Sequence, residues 1–200
     1  MGCAHPLILV TTSHRPSQRV RSFVKDLARV LPCAFRVTRG KSTLHHLYYD
    51  ARLLKARRLV IVSVWKGNPG RISVYEPLQY PGEEFRRLID IRLSGVALSR
   101  ERGLTGRTGV VEELGVSITS QGLAGIADSI VRGFLARLSL APRTTSQMVV
   151  VVRECERKEH CVAELDFVCA DTLKPCGPLL RVAGVVDYVS GYRLHRRRGV

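Results

Sequence analysis

One strongly amphipathic segment after a short apolar run limits the folds open to this chain more than any other feature. Leu7–Val10 is a compact apolar run with a polar exit, typical of a buried strand. Across Ser17–Leu31 the apolar residues occupy one continuous arc at about 100° per residue, which predicts a helix covering a core on one side. Pro16 suits the first helical turn, with Ser13 or Arg15 just outside it.

Strands and helices alternate through the rest of the first third. Ala34–Thr38 and Arg58–Trp65 are predicted strands, and a helix capped by its first residue is predicted between them at about Ser42–Ala56. Lys66–Gly70 is a predicted turn, from which Arg71–Tyr75 returns as a strand. The first third is therefore predicted to be β-α-β-α-β-β.

The remainder repeats these elements in a looser form. Its predicted elements are strands at Leu88–Leu98 and Val116–Thr119, a helix at about Gln121–Leu138, and strands at Met148–Glu154, Val162–Ala170 and Leu179–Val189. No repeat is visible residue by residue, so a duplication is suspected from the order of elements alone. A chain of 200 residues can close its own core. The predicted class is α/β (α+β), in one domain or two small ones.

The charge of the chain is high and unevenly distributed. Lys and Arg number 32 against 17 Asp and Glu, a net charge of +15, and 26 of the bases are Arg. The first 75 residues hold 14 bases and 2 acids, and the other 125 hold 18 bases and 15 acids, including the tail Arg196–Arg198. This pattern indicates a polyanionic partner, because Arg suits bidentate contact with phosphate and stacking on bases. An anionic membrane surface is the weaker alternative.

Basic side chains line the polar side of the first predicted helix. Arg21, Lys25 and Arg29 recur every fourth residue opposite the apolar arc, and Arg15 and Arg19 flank this stripe. A strand exit, a helix N-terminus with free N–H groups and a basic stripe together favour phosphate oxygens. The alternative is an ordinary solvated helix face.

A second candidate phosphate contact is Lys41, at the entrance to the second predicted helix. The surrounding Gly40–Thr43 resembles the end of a nucleotide-binding P-loop, but Phe35 stands where that loop requires its first glycine. The sequence therefore argues against nucleoside triphosphate hydrolysis. Lys41 is as consistent with plain surface as with phosphate binding.

The predicted hairpin pairs an aromatic residue with bases. Trp65 is a candidate to stack on a base while Lys66 and Arg71 bind phosphate. The favoured alternative is a core tryptophan beside an ordinary turn.

The sequence contains no recognisable catalytic or metal site. The six cysteines form no C-x-x-C pair, so buried structural thiols are favoured over zinc ligands, with disulfides in the Cys155–Cys176 cluster as a lesser alternative. The adjacent His45 and His46 are expected on the surface or in the core, and G-x-S-x-G, H-E-x-x-H and G-x-G-x-x-G are absent. No catalytic residue, metal, cofactor or small-molecule substrate is expected. Neither a membrane span nor a signal peptide is recognised, so the expected location is cytoplasmic.

Several motifs together resemble the Brix-domain family, in particular its short archaeal, Imp-four-like ribosome biogenesis members. They cover the first 75 residues closely and the remainder by length and element order. The segments that carry the resemblance are Thr11–Ser13, Arg15–Ser17, Arg19, Arg21–Leu27, Arg39–Lys41 and Trp65–Gly70.

The resemblance implies one Brix domain over residues 1–200. Its approximate halves would be 1–82 and 83–195, each akin to the anticodon-binding domain of class II aminoacyl-tRNA synthetases, with a basic tail at 196–200. It also implies a non-enzymatic role in ribosomal RNA processing and subunit assembly, with pre-ribosomal RNA and assembly proteins as partners. Together with the charge, it predicts RNA binding by the basic helix, Lys41 and the hairpin. The alternative is a protein interaction module that docks the basic helix onto an acidic partner within a ribonucleoprotein complex.

Overall fold

The computed structural model describes residues 3–78, 84–104, 109–138, 146–156 and 160–195, and within them the backbone forms eleven strands and three α-helices. The helices are α1 (Gln18–Val30), α2 (Leu44–Leu53) and α3 (Ala124–Phe134). The strands are β1 (Ile8–Thr12), β2 (Ala34–Arg36), β3 (Arg58–Trp65), β4 (Asn68–Pro77), β5 (Phe85–Ala97), β6 (Leu114–Ile118), β7 (Arg137–Leu138), β8 (Met148–Arg153), β9 (Ala163–Cys169), β10 (Pro175–Asp187) and β11 (Arg193–His195).

All the strands belong to one mixed sheet with the order β2-β1-β3-β4-β5-β10-β9-β8-β6-β7, and β11 pairs with β10. Strand β1 is parallel to β2 and β3, and β6 is parallel to β7 and β8. The other pairs are antiparallel. The two ends of the sheet follow the same order: β2-β1-β3-β4-β5 from one end corresponds strand for strand to β7-β6-β8-β9-β10 from the other. The two series meet where β5 pairs with β10. The fold is mixed α/β and mostly sheet.

Helix α1 forms because its cap and its apolar arc agree. The Ser17 Oγ accepts a hydrogen bond from the Val20 N–H at 3.2 Å, which makes Ser17 the N-cap, so Pro16 precedes the helix and does not lie in its first turn as predicted. The buried apolar side of the helix packs against β1, β3 and β4 in a core that also contains the inner side of α3. Phe23, like its neighbours in this arc, is fully buried, and each such side chain contributes roughly 1.5–3 kcal/mol.

Helix α2 lies on the opposite side of the sheet. Its Leu47 and Ala51 pack with Leu9 and Leu59, whose side chains point away from those of their neighbours in the main core because strand residues alternate. Thr43, one residue after the predicted Ser42, provides the N-cap, and the helix ends at Leu53, before the predicted end. The first part of the sheet is therefore covered by α1 on one side and by α2 on the other.

The prediction of one long helix at Gln121–Leu138 is wrong at both ends. Gln121–Leu123 is a 3₁₀ turn, and α3 ends at Phe134 because Leu135 adopts a left-handed conformation with φ +55°. The chain then forms β7, the short outer strand beside β6. Strand β11 was also missed, since three residues carry too little pattern to be recognised.

The expectation of six buried thiols is wrong, because all six cysteines form disulfides. Cys3–Cys33 ties the segment before β1 to the end of α1, while the other two disulfides close the β8–β9 and β9–β10 connections. These two are Cys155–Cys161 and Cys169–Cys176, within the cluster where disulfides were the alternative. None of the helices in the described ranges has the length and apolar content that a membrane span requires.

Candidate nucleic-acid interface

Three predicted phosphate contacts lie at one edge of the sheet. Because β1, β2 and β3 are parallel, their carboxyl ends share an edge, and ligands of open α/β sheets commonly bind there. Arg15 follows β1, Lys41 follows β2 and Lys66 follows β3, and all three side chains are exposed. The fold therefore gathers at this edge, termed here the carboxyl edge, three bases that are up to 51 positions apart in sequence.

A hydrogen bond joins the hairpin tip to the start of α1. The Ser17 Oγ donates to the Gly67 carbonyl at 2.6 Å while it accepts from the Val20 N–H. Gly67 has φ +77°, a conformation that glycine adopts without strain, so the two-residue turn can present its carbonyl to the helix cap. The start of the basic helix and the β3–β4 turn are thus held together.

The outward side of α1 carries the predicted basic stripe. Arg21 and Lys25 are exposed, and neither forms an ion pair with any described residue. Arg29 is also exposed and lies 4.0 Å from the Asp26 carboxylate, which accepts a hydrogen bond from the Ser99 N–H. Positions 21, 25 and 29 are spaced by about 6 Å along the helix axis. The stripe presents a row of cations to solvent.

Arg19 has a different role from the rest of this set. Its guanidinium forms two hydrogen bonds with the Glu101 carboxylate, one of them at 2.9 Å, and donates to the Val96 carbonyl at 2.9 Å. The hydrogen bond from Arg19, opposed by partial burial, leaves the pKa of Glu101 below its ordinary value. Arg19 therefore ties α1 to the turn after β5, and its donors are directed at protein atoms.

Trp65 is not a core residue, so the favoured interpretation of this position is wrong. Its side chain is 67% exposed at the end of β3. Gly70 lies in an irregularity opposite it, and a Cβ on Gly70 would collide with the Cβ and backbone of Trp65. Only a residue without a side chain at position 70 leaves room for the observed position of Trp65.

Arg71, which was predicted to bind RNA together with the basic helix, lies on the opposite side of the sheet from α1. The next residue, Ile72, belongs to the core under α1, and side chains alternate along a strand. Arg71 therefore shares the α2 side of the sheet with Ser63, its partner on β3, and with Trp65 two residues further along β3. The predicted residues form two surfaces rather than one.

Sequence analysis missed two residues of this second surface. Arg92 on β5 is the direct register partner of Arg71, and both side chains are exposed. Tyr188, after β10, is 47% exposed, and its hydroxyl donates to the Asp90 carboxylate at 3.0 Å. Burial and this hydrogen bond raise the pKa of Tyr188 above its ordinary value. The alternation of Leu88–Leu98 placed Arg92 on a polar face, but only the register places it beside Arg71.

Eight arginines elsewhere in the described chain are paired with carboxylates. These ion pairs join Arg58 and Arg86 to Glu76, Arg87 to Asp90, Arg102 and Arg153 to Asp166, Arg132 to Asp187, Arg137 to Glu113, and Arg153 and Arg181 to Glu164. Arg21 and Lys25 differ from these bases, since neither forms an ion pair with a described residue.

The described ranges contain no group of three or more His, Cys, Asp or Glu side chains arranged to hold a metal ion. His45 and His46 are both exposed on α2. His45 contacts the Glu84 carboxylate, and the Nδ1 of His46 accepts from the Thr43 N–H at 3.4 Å as part of the helix cap. The basic tail at 196–200 lies outside the described residues.

Comparisons with known proteins give consistent relatives. No protein-family profile matches the chain. It is 33% identical over 192 residues to the "Probable Brix domain-containing ribosomal biogenesis protein" of Pyrococcus horikoshii, covering 88% of this chain and 83% of that protein. It is 35% identical over 182 residues to the protein of the same description from Aeropyrum pernix, covering 90% of this chain and 97% of that one.

Two crystal structures share the fold. A probable ribosomal biogenesis protein from Aeropyrum pernix K1 superposes with a TM-score of 0.76 at 36% identity, over 88% of this chain and 95% of that one. An archaeal Imp4-like protein superposes with a TM-score of 0.66 at 21% identity, over 90% of this chain and 99% of that one. At that lower identity, the second similarity concerns the fold alone.

Proposed function

This chain belongs to the family of Brix domain-containing ribosomal biogenesis proteins, and from that premise we propose that it acts in ribosome biogenesis by binding pre-ribosomal RNA, without catalysing a reaction. The RNA-binding surface would consist of the α1 stripe (Arg21, Lys25 and Arg29) and the carboxyl edge. Arg15, Lys41 and Lys66 supply the bases of that edge. Arg19 is left out of the proposed contacts because its donors are already used within the protein.

The observation that carries this proposal is that Arg21 and Lys25 on α1 are exposed and form no ion pair with a described residue. An exposed base that forms no ion pair can neutralise a phosphate without first losing a protein partner. Such contacts release counterions and position a nucleic acid, but they read its sequence poorly. Specificity would then come from the shape of the RNA or from unpaired bases.

The organisation expected from the sequence remains part of the proposal. We propose a single Brix domain whose halves, approximately 1–82 and 83–195, each resemble the anticodon-binding domain of class II synthetases. The matched connectivity on the two sides of the β5–β10 pair supports two equivalent halves. Cytoplasmic action, and assembly proteins as further partners, belong to the same proposal.

The second candidate function is docking of the same helix onto an acidic protein within a ribonucleoprotein. The stripe would serve either partner electrostatically, since exposed Arg and Lys attract carboxylates as well as phosphates. The two functions differ in what purified protein binds alone.

The experiment is a fluorescence anisotropy titration of a labelled small-subunit ribosomal RNA fragment across a salt series. Wild type is compared with the double variant Arg21→Gln/Lys25→Gln. The matched control is Lys55→Gln/Lys174→Gln, which removes the same charge from two exposed lysines outside the stripe and the carboxyl edge. The slope of log affinity against log salt should flatten by about 1.4–1.8 in the stripe variant, because each phosphate contact contributes about 0.7–0.9.

An unchanged slope in the control, with intact RNA recovered after the titration, would support the proposal. Equal flattening in both double variants would contradict it, because only net charge would matter. If wild type binds no RNA but binds an acidic assembly protein, the docking function is favoured instead.

A further inference from the structure

The loop between β2 and α2 carries several hydrogen-bond donors at the carboxyl edge. In this loop, Arg39–Thr43, Arg39 is partly buried and Lys41 is exposed, and the loop leads into the first turn of α2. We propose that the loop, the start of α2 and the Thr11 hydroxyl form a binding site for a terminal phosphate monoester, termed here the α2 phosphate site. The site shares Lys41 with the carboxyl edge, but it does not require the proposed binding of pre-ribosomal RNA.

A buried hydroxyl lies in this part of the sheet. Thr11 is fully buried, and within the described ranges its Oγ1 is the one buried side-chain oxygen or nitrogen that forms no hydrogen bond. An unsatisfied buried polar group costs free energy, so native proteins seldom keep one. A ligand oxygen that accepts a hydrogen bond from this hydroxyl would remove the cost.

Strand and helix geometry place the Thr11 hydroxyl beneath the start of α2. Side chains alternate along a strand, so Thr11 points to the same side of the sheet as Leu9, which packs with Leu47 of α2. Thr11 lies about 7 Å beyond Leu9 towards the carboxyl end of β1. Helix α2 runs in the opposite direction to β1, because it leads from the carboxyl end of β2 to the amino end of β3. Its N-cap, Thr43, therefore lies about 6 Å beyond Leu47 in the same direction, and the hydroxyl is directed at the N-terminus of α2.

The first turn of α2 offers two backbone donors. The N–H groups of Leu44 and His45 form no hydrogen bond with any residue in the described part of the chain, as is usual at the start of a helix. The side chains beside them are already used. The His46 ring accepts from the Thr43 N–H within the cap, and the His45 ring contacts the Glu84 carboxylate. The two N–H groups and the positive end of the helix dipole favour an anion at this position.

Arg39 adds a guanidinium to the site. Its Nε donates to the Ser42 carbonyl at 3.2 Å, and the Ser42 N–H donates to the Arg39 carbonyl at 2.9 Å, so the side chain is held against the loop. Its two terminal nitrogens form neither a hydrogen bond nor an ion pair with a described residue. Burial lowers the pKa of Arg39, and this effect is opposed by Tyr75 and by no carboxylate. A bound anion would stabilise a partly buried cation of this kind.

The charge and the depth of the site suit a phosphate monoester better than a phosphodiester. Arg39 and Lys41 supply two positive charges, and Lys41 forms no ion pair with a described residue. A monoester carries about −1.5 to −2 at pH 7, whereas a phosphodiester carries a single charge. Because Thr11 is buried, a terminal phosphate can reach its hydroxyl more easily than a phosphate with chain on both sides. A Cβ at Gly40 would have no neighbour within 4 Å, so the space beside the loop is open.

The test is isothermal titration calorimetry of the full-length protein with 5′-AMP as the probe. Two related compounds separate the phosphate from the nucleoside, since adenosine lacks the phosphate and 3′,5′-cyclic AMP carries it as a diester. We expect 5′-AMP to bind at least about tenfold more tightly than either compound, because only the monoester offers a doubly charged acceptor.

A short 5′-phosphorylated oligoadenosine identifies the source of the phosphate. Tighter binding of this RNA than of 5′-AMP would assign the site to the phosphorylated end of an RNA. Tighter binding of 5′-AMP would assign it to a free nucleotide. The same RNA with a 5′-hydroxyl is the control, and it should bind at least about tenfold more weakly than the phosphorylated form in the first case.

Substitution of Arg39 tests the guanidinium. Arg39→Gln should weaken 5′-AMP binding about tenfold or more, because it removes charge-assisted hydrogen bonds. The matched control is Arg36→Gln, which removes the same charge from an exposed arginine three positions earlier. Arg36 points to the other side of the sheet, since its neighbour Phe35 is the register partner of Leu9. The control should keep its affinity within about twofold.

Thr11→Val adds a measurement without ligand. The substitution replaces the hydroxyl with a methyl group of similar size and so removes an unsatisfied buried donor. The Tm of the ligand-free protein should therefore rise by about 2–4 °C. The affinity for 5′-AMP should fall about two- to tenfold, the effect of losing one neutral hydrogen bond.

The inference is overturned if 5′-AMP binds no more tightly than adenosine, or if Arg39→Gln and Arg36→Gln bind it equally. It is also overturned if Thr11→Val lowers Tm and leaves the affinity unchanged, because the hydroxyl would then serve the fold alone. Arg21→Gln/Lys25→Gln should not change 5′-AMP binding, so loss of RNA binding in that variant leaves the α2 phosphate site standing. If 5′-AMP fails to bind while the RNA titration succeeds, this inference alone is removed.

Discussion

Arg19 on α1 and Glu101 after β5 are paired across 82 residues of sequence, with two hydrogen bonds between their side chains. The same carboxylate accepts from the Leu98 N–H at 3.0 Å, and the same guanidinium donates to the Val96 carbonyl. Each side chain therefore satisfies backbone groups of the chain that leaves the sheet. This contact distinguishes Arg19, which has a structural role, from the candidate phosphate contacts Arg21 and Lys25 on the same helix.

Arg19→Gln should lower stability and spare RNA binding. Both side chains are about one third exposed, 35% and 33%, so solvent screening limits the loss to about 0.5–1 kcal/mol. In a chain of this length that corresponds to a fall of roughly 1–4 °C in Tm. Arg21→Gln, two positions along, should weaken RNA binding and leave Tm unchanged in the same calorimetric and anisotropy measurements. A large loss of RNA affinity in Arg19→Gln with unchanged Tm would assign Arg19 to the RNA surface.

The same pair should make stability depend on acidity. Because the pKa of Glu101 in the folded protein is lower than its ordinary 4.5, its contribution is present above pH 4.5 and is lost as the pH falls through the lowered value. The stability difference between wild type and Glu101→Gln should be constant above about pH 5.5 and shrink below pH 4.5. Urea unfolding of both proteins over this range measures it. A difference that does not change with pH would contradict the ion pair.

Gly177→Ala should strain the contact between α1 and the second part of the sheet. A Cβ at Gly177 would lie 2.6 Å from a methyl of Val30 and 2.7 Å from the Cβ of Phe167. Overpacking of this kind costs about 1–3 kcal/mol, so the urea midpoint should fall with little change in m-value. Gly122→Ala is the control, since its nearest neighbour, Ser120 Oγ, would be 3.8 Å away. Equal midpoints for the two variants would show that the packing is looser than described.

The disulfide that closes the longest loop should stabilise the protein most. Cys3–Cys33 spans 30 residues, against 6 and 7 for the other two. Chain entropy gives about 3.6 kcal/mol for the longest loop and about 2.4 kcal/mol for each short one. Cys3→Ser/Cys33→Ser should therefore lower Tm more than Cys169→Ser/Cys176→Ser does. Alkylation of unreduced, denatured protein followed by mass spectrometry should add no label, and six labels would show free thiols.

The sequence predicted best the elements whose signals are local. Arg58–Trp65 has the same bounds in the sequence analysis and in the structure, because eight largely apolar and β-branched residues are bounded by a Gly-containing turn. Helix α1 was predicted within two residues at each end, since its apolar period lies in one short segment. Local chemistry was enough for these elements.

Features that depend on distant parts of the chain escaped prediction. The partner of Arg19 is far away in sequence, and no local pattern marks Glu101. Arg71 and Arg92 lie opposite each other because of the β4–β5 register. The sequence of the polar connection between these strands does not predict that register. Cysteine spacing allows many disulfide connectivities, so the three pairs could not be deduced from it. The exposure of Trp65 likewise depends on Gly70 and the strand irregularity around it.

The pairing of β5 with β10 has a consequence for the synthesis of this protein. Strand β5 is made early, yet its partner is translated about 90 residues later, which at 5–20 residues per second is a delay of roughly 5–20 s. Throughout that interval the nascent chain carries one long strand with unsatisfied N–H and C=O groups, a feature that invites mispairing with other chains. Synthesis of β10 therefore covers the exposed edge of β5. Slow translation between β5 and β10 would raise the yield of aggregated protein.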